Sequence, residues 1–363
     1  MPNADRERPA REASVAREPF VPSVPRGRLA PSPTGNLHLG NAFAFLAAWL
    51  SARSRGGSLV LRMEDIDPER SRPSFAEAIV ADLLWLGLDW DEGPETPGAP
   101  AASRGGPVGP YTQSLRLERY ADFLDGLTGR GLCYPCYCTR KDLRGLASAP
   151  HIGDEGVPYP GTCRKLDDID RARLESAGRR ACIRLDVERA LADLNDGVRP
   201  ARRRLSFIDA VLGRQEADNC GGDFALRRSD GVFAYQLAVT CDDAAMGVTE
   251  VVRGADLLPS APRQILLFRL LGAVPPVYGH LPLVRDALGE RLAKRHKSLT
   301  LAALRAAGVD SRAVCGRLAA MAGWLPEARL AAPAELLPSF SLKSLRGREL
   351  RLPEDVPGVL KRL

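Results

Sequence analysis

The sequence predicts an α/β fold built on a parallel sheet. Strand and helix signals alternate from Arg28 to Gly87, the first strand-to-helix turn is stiffened by proline, and capping or glycine residues punctuate the helices where βα units end. Arg28–Ala30 reads as a strand end, and Gly40–Arg53 as an amphipathic helix with Phe43, Leu46, Trp49 and Leu50 apolar and Gly56–Gly57 closing it. Ser58–Asp65 ("SLVLRMED") alternates like a strand. Ser74–Gly87 is predicted to be a helix opened by a Ser74/Glu77 capping box. Successive strand–helix units of this kind pack as parallel strands with right-handed crossovers.

Further along, Gly93–Pro110 is rich in Gly, Pro and Ala and predicts a loop, and Leu115–Leu127 a helix. A cysteine cluster and a charged segment through Arg180 follow. Phe224–Val239 predicts two strands around a Ser-Asp-Gly turn, Gly247–Gly254 a further strand, and Ser260–Gly272 a helix capped by Ser260. Leu299–Leu363 is helical at first and proline-rich later, and no internal repeat is present.

At 363 residues and 45% apolar composition, the chain can bury a large core. No apolar run reaches membrane-spanning length, which excludes a transmembrane helix. Met1–Gly27 is rich in Arg, Pro and Ala but has no apolar centre, so a disordered tail is expected rather than a secretory signal. Without that signal, the crowding of Cys133, Cys136, Cys138 and Cys163 points to metal binding sooner than to disulfides. Cys182, Cys220, Cys241 and Cys315 are expected to be buried structural thiols. The net charge of +6 permits a polyanionic partner without demanding one.

Two segments are suited to phosphate. In "RLAPSPTGNLHLGN" (Arg28–Asn41), Pro31 and Pro33 fix φ and Gly35 allows the bend. Gly40 would let a ligand approach the backbone, and the helix start offers N–H groups with His38 as a donor beside them. In "GERLAKRHKS" (Gly289–Ser298), Arg291, Lys294, Arg295 and Lys297 follow a glycine turn; a lysine is a mobile point charge suited to phosphates that change during reaction.

Taken in order, "RLAPSPTGNLHLGN", "RMEDIDPERS", "AYQLAVTCDDAAMGVTEVVRGADLLPSAPRQ" and "RLAKRHKS" resemble the class I glutamyl-tRNA synthetase family over Arg28–Ser298. "HLGN" stands where the family has its HIGH signature and "RLAKR" where it has KMSKS. The resemblance implies a Rossmann-type class I aminoacyl-tRNA synthetase catalytic domain that joins glutamate to AMP and transfers it to a tRNA, using ATP with Mg2+. Carried over residue by residue, it implies that Arg28, Leu29, Ala30, Pro31, Ser32, Glu64, Tyr235 and Arg253 bind glutamate, and that His38, Gly40, Asn41 and Lys294 bind ATP, with His38 and Lys294 catalytic. The chemistry agrees: an arginine fork pairs a carboxylate and Glu64 can hold an ammonium. The substrate carboxylate attacks the α-phosphate, so no side-chain nucleophile is needed. Asn41 replaces the second histidine of HIGH, and Arg291 and Ala293 replace Lys and Ser of KMSKS; Lys294 is kept.

Cys136-x-Cys138 with Tyr159-x-x-x-Cys163 resembles the zinc site of one subfamily, implying one structural Zn2+; pairing of Cys133 with Cys136 as a Cys-x-x-Cys set is the alternative. The expected organisation is a tail over 1–27, catalytic halves over 28–132 and 201–298, a zinc-bearing insert over 133–200 and a short extension over 299–363. That extension is too short for an anticodon-binding domain of about 100 residues or more. The short chain and its zinc pattern therefore resemble the branch of the family that attaches glutamate to queuosine at the wobble position of tRNA(Asp). The partners implied are L-glutamate, ATP and tRNA(Asp) carrying queuosine, for a cytoplasmic monomer with no membrane contact. A truncated glutamyl-tRNA synthetase charging a 3′ end and a non-catalytic glutamate/ATP-binding paralogue are the competing readings.

Overall fold

The computed structural model describes residues 23–95, 105–139, 141–142, 159–194, 204–292 and 299–363. The first strand is β1 (Arg26–Leu29), so the expected strand end is present at Arg28 and Leu29, and Arg26 and Gly27, expected in the tail, belong to the strand. The crossover helix α1 (Leu39–Arg53) leads to β2 (Ser58–Leu61), which pairs with β1 in parallel, Arg26 opposite Ser58 and Leu29 opposite Leu61. α2 (Pro73–Trp85) corrects the expected capping box: its N-cap is Arg72, with no side-chain cap bond. Pro73 takes the first helical position, where its fixed φ is favourable and its missing N–H is not needed, and Ser74 is carried inside the helix.

α3 (Leu117–Gly129) leads into β3 (Cys133–Cys136). Next come α4 (Asp168–Ser176), β4 (Cys182–Leu185) and α5 (Val187–Asp193). β5 (Arg204–Asp209) and β6 (Gly213–Asp218) form an antiparallel hairpin. β7 (Phe224–Arg227) completes an antiparallel sheet in the order β3-β4-β7.

The second strand expected before Val239 is not formed. Beyond the turn only Phe233 bridges to Arg227, and α6 (Tyr235–Ala245) begins two residues later. Gln236 to Asp243 are all buried in this helix, and a helix buried all round carries the same unbroken apolar run as a buried strand. β8 (Glu250–Gly254) follows within the expected Gly247–Gly254 stretch, starting three residues later. α7 (Ser260–Leu270) has Pro259 as its N-cap; Ser260 does not cap it and instead accepts a hydrogen bond from Gln236 Nε2 at 2.8 Å. β9 (Val277–Leu281) runs parallel to β8 and to β5, giving a mixed sheet in the order β6-β5-β9-β8. Thr249 N donates to Arg26 O at 2.9 Å and Arg26 N to Thr249 Oγ1 at 2.8 Å, which seats β1 beside the start of β8.

β10 (Val284–Arg285), α8 (Leu301–Ala306), α9 (Ser311–Ala322), β11 (Leu350–Arg351) and α10 (Val356–Lys361) finish the chain. One apolar core joins α1 and α2 to this last stretch, including Leu301, Leu318 and Leu360, and Phe43 stacks on Trp324 with ring centroids 5.8 Å apart. A second core gathers α3, α5, α6 and α7, and a small third one surrounds Tyr134, Cys136, Tyr159 and Cys163. Among the described residues no helix is long and apolar enough to cross a membrane.

Candidate active site

The stiff turn after β1 is stitched to the segment after β2. Leu29 O accepts from Arg62 N, Pro31 O from Glu64 N and Pro33 O from Arg72 N, at 2.9, 2.9 and 3.0 Å. This places Glu64 alongside Arg28. Leu29 itself is fully buried in the core, Pro31 is buried, Ala30 is half-buried and Ser32 is exposed on the turn.

His38 is the N-cap of α1. Its Nδ1 accepts from Gly40 N at 3.1 Å and Asn41 N at 3.3 Å, while Asn41 Oδ1 accepts from His38 N at 3.1 Å. An acceptor at Nδ1 leaves the proton of the neutral ring on Nε2. The helix start thus spends N–H groups on the imidazole, which the sequence had suggested were open to a ligand. A Cβ at Gly40 would lie 3.0 Å from the His38 ring, so this glycine makes room for the cap.

Behind the turn lies a buried pocket of charges. Tyr235, at the start of α6, stands within electrostatic reach of Arg253, Glu64, Arg28 and Asp243, and burial pushes its phenol up. The structure therefore brings together Arg28, Glu64, Tyr235 and Arg253 from four separate stretches of sequence. Burial raises the Glu64 carboxyl, opposed by Arg62 and Arg28; an ammonium placed against it would pull it back toward the ionised form. Asp65 holds Ser114 through N and Oγ at 2.8 and 2.7 Å, and Asp67 pairs with Arg228 at 2.9 Å, so these two acids serve the frame. Lys294 lies outside the described residues, as do Arg295 and Lys297. Arg291, just before them, pairs with Asp256.

Sequence reasoning missed the charges that support this pocket. Arg62 is fully buried and donates to Asp243 at 2.7 Å and Glu64 at 2.9 Å. Asp242 receives Arg116 Nε at 2.5 Å, Gln113 Nε2 at 2.8 Å and Tyr120 Oη at 2.8 Å. Arg28 stands 3.7 Å from Asp243, and its buried Nε has no hydrogen-bond partner among the described residues. An unsatisfied buried guanidinium donor at this place fits a site that expects an anion. Arg253 is held differently: Nε donates to His280 Nε2 at 3.1 Å, Nη1 to Gln264 Oε1 at 2.8 Å and Nη2 to Leu257 O at 3.1 Å. The one available signal was charged residues at inward positions of strand and helix patterns, Arg62 after "SLVL" and Asp242–Asp243 within an apolar helix.

A separate cluster sits on the β3-β4-β7 sheet. The sulfurs of Cys136, Cys138 and Cys163 lie within 4.8 Å of one another, and Cys138 and Cys163 are 3.5 Å apart. Tyr159 Oη lies 3.3 Å from Cys136 Sγ and 3.5 Å from Cys138 Sγ. A tetrahedral ion with bonds of ~2.3 Å has ligand–ligand edges of ~3.8 Å, so these four groups fit the shell of one metal ion. Asp223, buried at the edge of β7, fixes the loop by accepting from Tyr134 Oη at 2.6 Å and from Arg164, the neighbour of Cys163, at 2.6 Å. Cys133 is three residues from Cys136 in one strand, so it faces the opposite side, against the second core, and is not in the group. Cys182 corrects the expectation of a scattered core thiol: it stands opposite Cys136 in the β3–β4 register. Its hydrogen bond, working against the cost of burial, lowers the Cys136 thiol below its usual range.

A parallel β1–β2 pair joined by a crossover helix that histidine caps, with a buried guanidinium–carboxylate pocket behind the turn, thus frames the site. The family model described as tRNA synthetases class I (E and Q), catalytic domain, matches residues 25–332. The chain belongs to this family, whose members are aminoacyl-tRNA synthetase ligases. It is 56% identical over 339 residues to the Glutamyl-Q tRNA(Asp) synthetase of Nitratidesulfovibrio vulgaris, covering 93% of this chain and 98% of that one. It is 48% identical to the Glutamyl-Q tRNA(Asp) synthetase of Symbiobacterium thermophilum, covering 92% and 98%. The crystal structure of a glutamate tRNA ligase from Elizabethkingia meningosepticum in complex with its amino acid superposes with a TM-score of 0.72 at 26% identity, covering 92% of this chain and 68% of that one.

Proposed function

We propose that this chain activates L-glutamate with ATP and Mg2+ to glutamyl-adenylate and transfers the glutamate to the queuosine base at the wobble position of tRNA(Asp), acting as a monomer in the cytoplasm. The observation that carries the amino-acid part is the charge pattern of the pocket. Arg253 has no carboxylate partner among the described residues, Arg28 has an unsatisfied donor, and Glu64 stands opposite them. A zwitterion with an extra carboxylate matches that pattern. In this reading Arg28, Ser32, Tyr235 and Arg253 hold the carboxylates and Glu64 the ammonium. Leu29, Ala30 and Pro31 line the approach through their backbone. The Nε2–H of His38, the α1 start at Gly40 and Asn41, and Lys294 face the ATP phosphates. These groups position the substrate carboxylate for attack on the α-phosphate and stabilise the charge that develops there.

The acceptor is supported by the relatives named Glutamyl-Q tRNA(Asp) synthetase, which align over 98% of their own length. The test is to charge tRNA(Asp) with labelled glutamate, digest with nuclease and locate the label. The expected result is label on the anticodon fragment, only in tRNA that carries queuosine, with binding that weakens steeply as salt rises. Label on the terminal adenosine would overturn the reading in favour of a glutamyl-tRNA synthetase.

The same proposal assigns one structural Zn2+ to Cys136, Cys138, Tyr159 and Cys163. The ion would tie the loops bearing Tyr159 and Cys163 to β3 and add its binding energy to folding. Elemental analysis should find about one zinc per chain. Cys138→Ser should lose both the metal and thermal stability, whereas Cys133→Ser should retain both. The opposite pattern would refute this ligand set.

A further inference from the structure

The guanidinium of Arg253 rests on a buried relay. Its Nε donates to His280 Nε2 at 3.1 Å, and on the far side of the ring His280 Nδ1 lies 2.6 Å from Asp209 Oδ2. His280 is 0% and Asp209 2% exposed. Asp209 Oδ1 also accepts from Val211 N and Leu212 N, both at 2.9 Å, and from His280 N at 3.2 Å, so the carboxylate cannot turn without breaking the β5 end.

An ionised carboxylate only accepts, and Arg253 Nε only donates. The imidazole between them must carry its proton on Nδ1 and leave Nε2 bare. Burial, with the positive charge of Arg253, keeps His280 below its usual range against the pull of Asp209, consistent with a neutral ring. Tyr278 completes the wall: its ring stacks on His280 at 5.9 Å between centroids, and Arg253 lies 5.1 Å over it. The counter-charge of Arg253 is thus held one imidazole away. Each terminal nitrogen of the guanidinium spends one N–H on the frame, Nη1 on Gln264 and Nη2 on Leu257 O, and has a second N–H to offer.

We propose that Asp209 and His280 are positioning residues for glutamate recognition, fixing one histidine tautomer so that Arg253, which has no direct carboxylate partner among the described residues, is aimed at the carboxylate of the amino-acid substrate. This rests on the reading of Arg253 as a glutamate-binding residue. Sequence position hid the relay, since Asp209, Arg253 and His280 come from three strands, β5, β8 and β9.

The experiment is glutamate-dependent ATP–pyrophosphate exchange with the full chain. In Asp209→Asn, the side-chain oxygen keeps the backbone amides, so the NH2 group meets Nδ1. The ring proton moves to Nε2 and faces the Arg253 N–H. The glutamate KM should rise about tenfold or more, the worth of a hydrogen bond to a charged group, with the ATP KM unchanged. His280→Phe should behave alike, and His280→Gln, which keeps an acceptor for Arg253, should recover most of the loss. A folded Asp209→Asn or His280→Phe with a normal glutamate KM overturns the proposal. If neither variant folds, 15N-histidine NMR of the wild type decides. Only 4 histidines are present, and His280 should show a bare Nε2; a protonated Nε2 overturns the proposal. Arg253→Gln separates the two claims. A normal glutamate KM there defeats the pocket reading itself, whereas a raised KM with a normal Asp209→Asn defeats the relay alone.

Discussion

Replacing Arg62 with methionine should cost about 3–5 kcal/mol of folding stability, the range for removing one partner of a buried ion pair. Arg62 is fully buried, with Asp243 at 2.7 Å, Glu64 at 2.9 Å and Asp242 at 3.7 Å. Methionine fills similar volume but leaves Glu64 and Asp243 in a dry pocket without their main cation. The loss should depend on pH. Burial already raises Glu64 in the native state. Without Arg62 it rises further, so the native variant binds protons that the unfolded chain releases. A carboxyl raised on folding contributes stability at low pH and loses it as pH rises, so the deficit should be smaller at pH 5 than at pH 8. Urea unfolding of both proteins at the two pH values measures this. A deficit under about 1 kcal/mol, the worth of an exposed pair, would mean that the network does not depend on Arg62.

Lys294→Ala should slow glutamate-dependent pyrophosphate exchange by ~10²-fold or more, the usual cost of deleting a preorganised charge that meets the transition state. The expectation comes from the "RLAKR" segment, in which Lys294 occupies the kept lysine of the family signature. Thermal stability should stay at the wild-type value, which separates this loss from that of Arg62→Met. Lys294→Arg should recover only part of the rate, because a planar fork does not replace a compact mobile ammonium. Wild-type exchange in Lys294→Ala would remove this residue from the mechanism.

Much of the fold was legible because its first crossover obeys local rules: α1, β1, β2 and β8 sit where periodicity and punctuation place them. The errors have physical causes. Tyr235–Val239 was expected to be a strand because a helix buried on every side shows no polar face. Ser74 and Ser260 carry capping chemistry, but Pro73 sets one helix start and Pro259 the other. The gathering of Cys136, Cys138 and Cys163 was legible because these cysteines crowd in the sequence, whereas Tyr159 was named only through the family resemblance. The charges behind the pocket were not. Arg62, Asp209, Asp243 and His280 look like ordinary surface residues until the sheet gathers them, because their meaning lies in contacts between distant strands.

The chain leaves the sheet and returns to it at two fixed points. Leu292 is buried and donates to Val284 O at 3.5 Å, and Leu301 N donates to Leu37 O at 2.9 Å, next to His38. The described residues on either side of 293–298 are therefore anchored, one on β10 and the other on the very turn that carries the imidazole. The second anchor is made by the stretch after Ser298, which shares a core with α1. That terminal stretch thus moors the turn bearing His38, although it carries none of the signature residues.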